Sequence, residues 1–200
     1  MTNTLNKLKK KLRRAYISQT DFSIISDNCW GGFMYQHLGL PYQSPFIGLF
    51  IYSPDYIELL CSLEEHLNSK LRFISPKDSK YKKEMIENGT YDKYPIGKIK
   101  DVELHFLHYT SENDALEKWN RRIDRINYNN LIIKFCDRDL CTHELINDFH
   151  NLRYKCKFSF SSTPTRYANN YNFDTKKNEW KAFKHFTSPT IFLKKHLTRN

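Results

Sequence analysis

The apolar positions of this chain follow two periods, and the switches between them mark out its elements. Leu5, Leu8, Leu12 and Tyr16 recur once per helical turn, with Lys7, Lys9, Lys10, Lys11, Arg13 and Arg14 around the remaining faces. That spacing predicts a basic amphipathic helix, which either packs on the domain as a leading helix or lies on an anionic membrane surface. Residues 22–26 form a short β-branched run, predicting a buried strand that enters the turn 27–32, Asp-Asn-Cys-Trp-Gly-Gly. A helix follows over 33–38, stopped by Gly39 and Pro41. Residues 46–51 predict a second strand. Ser53 and Pro54 then start a helix, as N-cap and first helical residue, with Ile57, Leu60, Leu63 and Leu67 on its apolar face. The stretch 75–100 is polar and interrupted by Pro76, Gly89, Pro95 and Gly97, which suggests an excursion with a short helix near 78–88.

The pattern then resumes. Residues 102–107 predict a third strand ending at His108-Tyr109. A helix begins after Ser111, with Leu116, Trp119, Ile123 and Ile126 inward. Residues 131–135 predict a fourth strand ending at Cys136-Asp137-Arg138-Asp139, and Thr142 caps a helix carrying Leu145, Ile146, Phe149 and Leu152. Residues 157–160 predict a fifth strand, and a further helix is expected around 178–185. Buried strands alternating with amphipathic helices predict an α/β fold: three layers, α/β/α, around a mostly parallel sheet that a pairing hidden in the excursion could make mixed. The organisation expected is a basic helix over 1–19, an α/β domain over 20–165, and a basic Asn-, Tyr- and Lys-rich extension over 166–200 packed on it.

Composition narrows the setting. At 200 residues and 40% hydrophobic, the chain can fill a core. No apolar run reaches eighteen residues, and the basic start lacks the apolar stretch of a secretory signal, so a cytoplasmic protein is expected, with its first helix able to reach the inner membrane face. Five cysteines without a signal peptide predict free thiols. The net charge of +10 is uneven. Residues 1–14 carry six Lys or Arg and no acid; 176–200 carry seven against Glu179 alone; 15–175 hold 19 basic and 21 acidic residues. A nearly neutral body with basic ends argues against a nucleic-acid groove.

In open α/β sheets ligands bind beyond the carboxyl ends of strands. The turn at 27–32 is the richest such place. Asp27, Asn28 and Trp30 could contact a substrate, Gly31 and Gly32 permit close approach, and the helix start offers N–H groups to an anion. Cys29 could be a nucleophile there, with His108 as base and Asp137 as orienter, although Cys29 and Trp30 could equally pack inward. His105 and His108 point to opposite strand faces, which leaves His105 structural. Cys136, Cys141 and His143 fit no closed zinc site, so no metal is assigned and the cofactor stays unknown. Asp137-Arg138-Asp139 nominally matches a metal–nucleotide D-x-D pattern. Lys118, Arg121, Arg122 and Arg125 form a basic stripe, either a solvated face paired with Glu117 and Asp124 or a diphosphate clamp in which Arg121 and Arg122 would contact substrate. Walker, dinucleotide and nucleophile-elbow motifs are absent.

The strings at 24–32 (Ile-Ile-Ser-Asp-Asn-Cys-Trp-Gly-Gly), 45–51, 105–109 (His-Phe-Leu-His-Tyr), 118–122 and 125–131 resemble a bacterial family of unknown function whose members are often labelled exopolysaccharide or capsule biosynthesis proteins. The resemblance spans roughly 20–165. It implies a three-layer α/β/α domain and a link to surface-glycan loci, with no catalytic residue to carry over. The expectation is a surface-polysaccharide biosynthesis protein, a transferase acting on a sugar or sugar carrier, with Trp30 stacking on the sugar and Tyr109 bonding its hydroxyls. The alternatives are a Cys-His hydrolase or acyltransferase, and a noncatalytic accessory protein of a glycan-assembly complex. The oligomeric state is left open.

Overall fold

The computed structural model describes residues 2–198. Helix α1 (Thr2–Ile17) leads to strand β1 (Ser23–Ser26) and helices α2 (Trp30–Leu38), α3 (Ser53–Cys61) and α4 (Leu63–Leu67). Then come β2 (Arg72–Ile74), α5 (Lys82–Glu87), β3 (Ile96–Ile99), β4 (Val102–His105) and α6 (Glu112–Ile123). They are followed by β5 (Leu131–Cys136), α7 (His143–Asn151), β6 (Cys156–Ser161), β7 (Asn170–Asn172), α8 (Glu179–Phe186) and α9 (Pro189–Leu197).

The fold is α/β. Strands β1, β5, β6 and β7 form a parallel sheet in the order β1-β5-β6-β7. Ile25, Ile133 and Phe135 face one side, against Tyr56 of α3 and Phe149 of α7. Ile24, Ile132, Phe158 and Phe160 face the other, against Trp30 and Met34 of α2, Phe183 of α8 and Phe192 of α9. Helices on both faces explain why these strands read as continuous apolar runs. Residues 166–198 supply the edge strand β7 and two of the helices on that second face, α8 and α9.

The excursion does conceal a pairing, but it builds a separate sheet. β2, β3 and β4 are antiparallel in that order. The strand expected at 46–51 is not formed. Gly48 lies at φ 72°, which breaks the extended run. Beyond it, Phe50 exchanges two 3.0 Å backbone bonds with His105, and the Ile51 N–H donates to the Asp27 carbonyl at 2.9 Å. This short segment therefore ties the two sheets together. The strand expected at 102–107 stops at His105, which frees Leu107 and His108 to leave the sheet.

The caps follow the sequence in two cases. The Ser111 hydroxyl accepts from the Asp114 N–H and that of Thr142 from the Leu145 N–H, each at 3.2 Å. Ser53 is not a cap, since Tyr52 holds that position in α3. The Ser53 N–H and hydroxyl donate instead to the carbonyls of Asp139 and Arg138, at 2.9 and 2.7 Å. Helix α1 also departs from a leading helix packed by its leucines, because Leu5, Leu8, Leu12 and Tyr16 all point outward. Among the described residues no helix is long and apolar enough to cross a membrane.

Candidate functional site

A cleft opens where β1 and β5 end and the small sheet begins. Its larger cavity, about 480 Å³, is walled by Phe33, Phe50, Tyr52 and Trp180, with Asn28, Arg138, Asp139 and Glu179 among its polar groups. A smaller cavity of about 360 Å³ is lined by Gln36, Tyr42, Tyr109, Lys118 and Arg122. Cys29, Phe33 and His108 border both. Phe33 and Trp180 stack with ring centroids 5.7 Å apart. The strand-end rule thus collects residues from β1, the tie segment, β4 and β5, and the entrance to α8 adds Lys177, Asn178, Glu179 and Trp180.

Beneath this cleft lies a buried charge cluster. Lys134 of β5 is fully enclosed, with its ammonium 3.1 Å from the Asp27 carboxylate and 2.7 Å from that of Glu179. Asn28 joins them, accepting from Lys134 at 3.1 Å and donating to Glu179 at 2.9 Å. The ring of Phe160 packs under the ammonium, 5.3 Å from its centroid. Burial pushes the Asp27 carboxyl up to about 7; Lys134 pulls it back and Glu179 pushes it further. Burial pulls the Lys134 ammonium down, but Asp27 and Glu179 outweigh that and hold it above its ordinary value. Two carboxylates share one cation, which favours a proton on Asp27 near neutrality.

The turn at Asp27–Gly32 is tighter than expected, because α2 already starts at Trp30. Its amides are largely committed. The Trp30 N–H donates to the Asn28 side chain at 3.1 Å, and that of Gly31 to the Ser26 hydroxyl at 3.3 Å. These two N–H groups are therefore not offered to an anion. A methyl group added at Gly31 would lie 2.9 Å from that hydroxyl and 3.0 Å from Ile24, so the glycine lets helix and strand close together. Gly32 lines the smaller cavity.

The expected residues separate as follows. Cys29 and His108 do share the cleft. Asp137 does not join them: its carboxylate accepts from the Ser162 N–H at 2.6 Å and the Thr175 hydroxyl at 2.5 Å, holding the loop after β6 to the end of β5. An orienter's role for Asp137 is thereby corrected, and the D-x-D carboxylates are split, since only Asp139 reaches the cavity. Asp139 sits at φ 52°, a strained conformation of the kind that gathers at binding sites, and burial raises its carboxyl. Burial, reinforced by Glu179, pushes the Cys29 thiol up to about 11, so it is not a thiolate at neutral pH.

Trp30 borders the larger cavity but follows the inward-packing alternative, which corrects its role as a sugar platform. Its indole is 1% exposed, with Phe158, Phe160, Trp180, Phe183 and Phe192 all edge-on to it. The Tyr109 hydroxyl is likewise used internally, donating to the Ile47 carbonyl and accepting from Arg122 at 2.7 Å. The basic stripe divides. Arg122 is buried against Tyr109 and Tyr42, and Lys118 pairs with Asp114 at 2.7 Å on the cavity wall. Arg121 only meets Glu117 at 3.3 Å in solvent, outside both cavities, so it is not a substrate contact here.

Lys134, Glu179 and Trp180 are absent from the expected site. One signal existed for Lys134: a lysine inside Ile-Ile-Lys-Phe-Cys on a strand covered on both faces needs a buried carboxylate partner. Nothing local marked Glu179, which arrives from 45 positions further along the chain. Among the described residues, no cluster of three or more His, Cys, Asp or Glu is placed to hold a metal, and the five cysteines are free.

The profile of a family described as a domain of unknown function (DUF1919) matches residues 1–197. An uncharacterized protein of Haemophilus influenzae (strain KW20 / Rd) is 34% identical over 157 residues, covering 78% of this chain and 69% of that protein. The chain belongs to the DUF1919 family.

Proposed function

We propose that this DUF1919 protein binds a phosphorylated or carrier-linked sugar across the two cavities and acts as a transferase in surface-polysaccharide assembly, in the cytoplasm. The observation that carries the reading is the opposite chemistry of two cavities that meet at Cys29, Phe33 and His108. The larger has aromatic planes for a sugar's C–H face, with Arg138 and Asp139 for its hydroxyls. The smaller has Lys118, Arg122 and His108 and no carboxylate on its wall, which suits a phosphate. His108, exposed at the junction, would take the proton of an acceptor hydroxyl as that oxygen bonds the anomeric carbon and the carbon–phosphate oxygen bond breaks, the phosphate departing toward Lys118 and Arg122. The polysaccharide context comes from the resemblance of the strings at 24–32 and 105–109. A thiol hydrolase has weaker support, because the Cys29 thiol is held in its protonated form.

Tryptophan fluorescence tests the reading directly. Trp180 is half-exposed on the cavity wall, whereas Trp30 and Trp119 are buried. Titration with a panel of nucleotide sugars and sugar 1-phosphates is expected to quench Trp180 saturably. Lys118→Ala should weaken the tightest binder by about tenfold, the loss of one charge-assisted contact. If no member of the panel binds, the accessory-protein alternative replaces the enzyme.

A further inference from the structure

Helix α1 is attached to the domain by the wrong side for an ordinary amphipathic helix. Arg13 donates to the His37 carbonyl at 2.8 Å and Arg14 to the Leu38 carbonyl at 2.7 Å, so its cations cap the C-terminal end of α2. Ile17 seals the contact from within the core. Leu5, Leu8, Leu12 and Tyr16 are left 48–60% exposed in a single stripe. Lys9 and Lys11 flank it in solvent. Helix α9 packs alongside, adding exposed Ile191 and the Lys194 ammonium, 4.2 Å above the Tyr16 ring.

We infer that this α1–α9 face is a docking surface for an anionic lipid bilayer. An apolar stripe bordered by lysines, with no acid among residues 1–14, is complementary to negatively charged headgroups over an acyl layer. The leucines enter the boundary while the lysine stems carry their charges back to the headgroups. A second copy of the chain fits less well. Two such stripes face to face would oppose lysine to lysine, and four side chains fall far short of the roughly 800 Å² per partner of a stable interface. The inference stands independently of what the cleft binds.

Co-sedimentation of the full chain with vesicles decides it. Binding is expected to vesicles containing phosphatidylglycerol, not to pure phosphatidylcholine, and should be largely lost in about 0.5 M salt. Leu8→Ser combined with Leu12→Ser should weaken it by about tenfold or more. Both positions are exposed, so circular dichroism and the melting temperature should not change, and neither should Trp180 quenching by any ligand of the cleft. The inference is overturned if the phosphatidylglycerol vesicles bind no protein, or if the leucine changes leave that binding intact. It is equally overturned if the chain is a dimer in solution that the leucine changes dissociate, since a second copy would then cover the stripe.

Discussion

Asp27 and Asp55 are both buried carboxylates with a lysine beside them, at 3% and 1% exposure, yet their surroundings are opposite. Asp55, at the start of α3, is saturated by varied donors. Its oxygens accept from the Tyr81 hydroxyl at 2.7 Å, the Glu103 N–H at 2.7 Å and Lys80 at 2.6 Å, and Lys80 itself is 43% exposed. The result clamps α3 to the excursion and to β4, and Asp55 lines neither cavity of the cleft. Asp27 must instead share the single buried ammonium of Lys134 with Glu179, directly below the cleft. The first arrangement is what stability alone requires, every acceptor filled and the cation wet. The second carries surplus negative charge in a dry place, which is costly to keep and characteristic of a site that handles protons or polar ligands.

The contrast can be broken most forcefully at the lysines. Lys134→Met leaves two buried carboxylates without a cation and should destabilise the fold by about 3–5 kcal/mol. Lys80→Met removes an equally short ion pair, but one open to solvent, and should cost about 1 kcal/mol or less. Urea denaturation of both variants, followed by circular dichroism, measures the difference. Equal losses would mean that burial does not separate the two clusters.

A smaller effect sharpens the contrast through pH. Burial places the folded Asp27 carboxyl at about 7, above its unfolded value of about 3.9. The folded protein therefore retains a proton that the unfolded chain releases, and this contribution to stability declines as pH rises from about 4 to about 7, then levels off. His37, His105 and His150, lowered by burial to about 4, 3 and 4, act in the opposite sense, since the unfolded chain takes up their protons below about 6.5. Those contributions are common to the wild type and Asp27→Asn. The stability difference between the two should thus fall by roughly 2–4 kcal/mol across the window. A flat difference would mean that burial does not raise the Asp27 carboxyl.

What the sequence made legible follows from range. β1, β5, β6 and the caps Ser111 and Thr142 depend on neighbours within a few residues, and the alternation of Ile, Phe and helical leucines was enough to read them. The cleft's place at the strand ends was legible too, as were Cys29 and His108 within it. Asp137 and Asp139, two residues apart after the same strand, look alike in sequence. Which one turns toward Ser162 and which toward the cavity is decided by the loop after β6 and by Ser53, both far along the chain. Which of its two readings Trp30 follows, sugar platform or inward packing, is decided by five aromatic neighbours from β6, α8 and α9. α1 illustrates the limit most plainly. Its periodicity identifies a helix with an apolar stripe, but the carbonyl end of α2 draws its arginines inward and turns that stripe out.

A last, comparably small effect probes the satisfied cluster alone. Tyr81→Phe deletes one donor to Asp55 and keeps the ring that stacks on Tyr52, with centroids 4.1 Å apart. The carboxylate retains Lys80 and the Glu103 N–H, so the loss should be about 1 kcal/mol, the usual worth of one replaceable hydrogen bond. The packing of Tyr52 on the cavity wall is preserved, so quenching of Trp180 by a cleft ligand should be unchanged. A loss as large as that of Lys134→Met would show that Asp55 depends on each of its donors, and that both carboxylates, not just the one beneath the cleft, are held without redundancy.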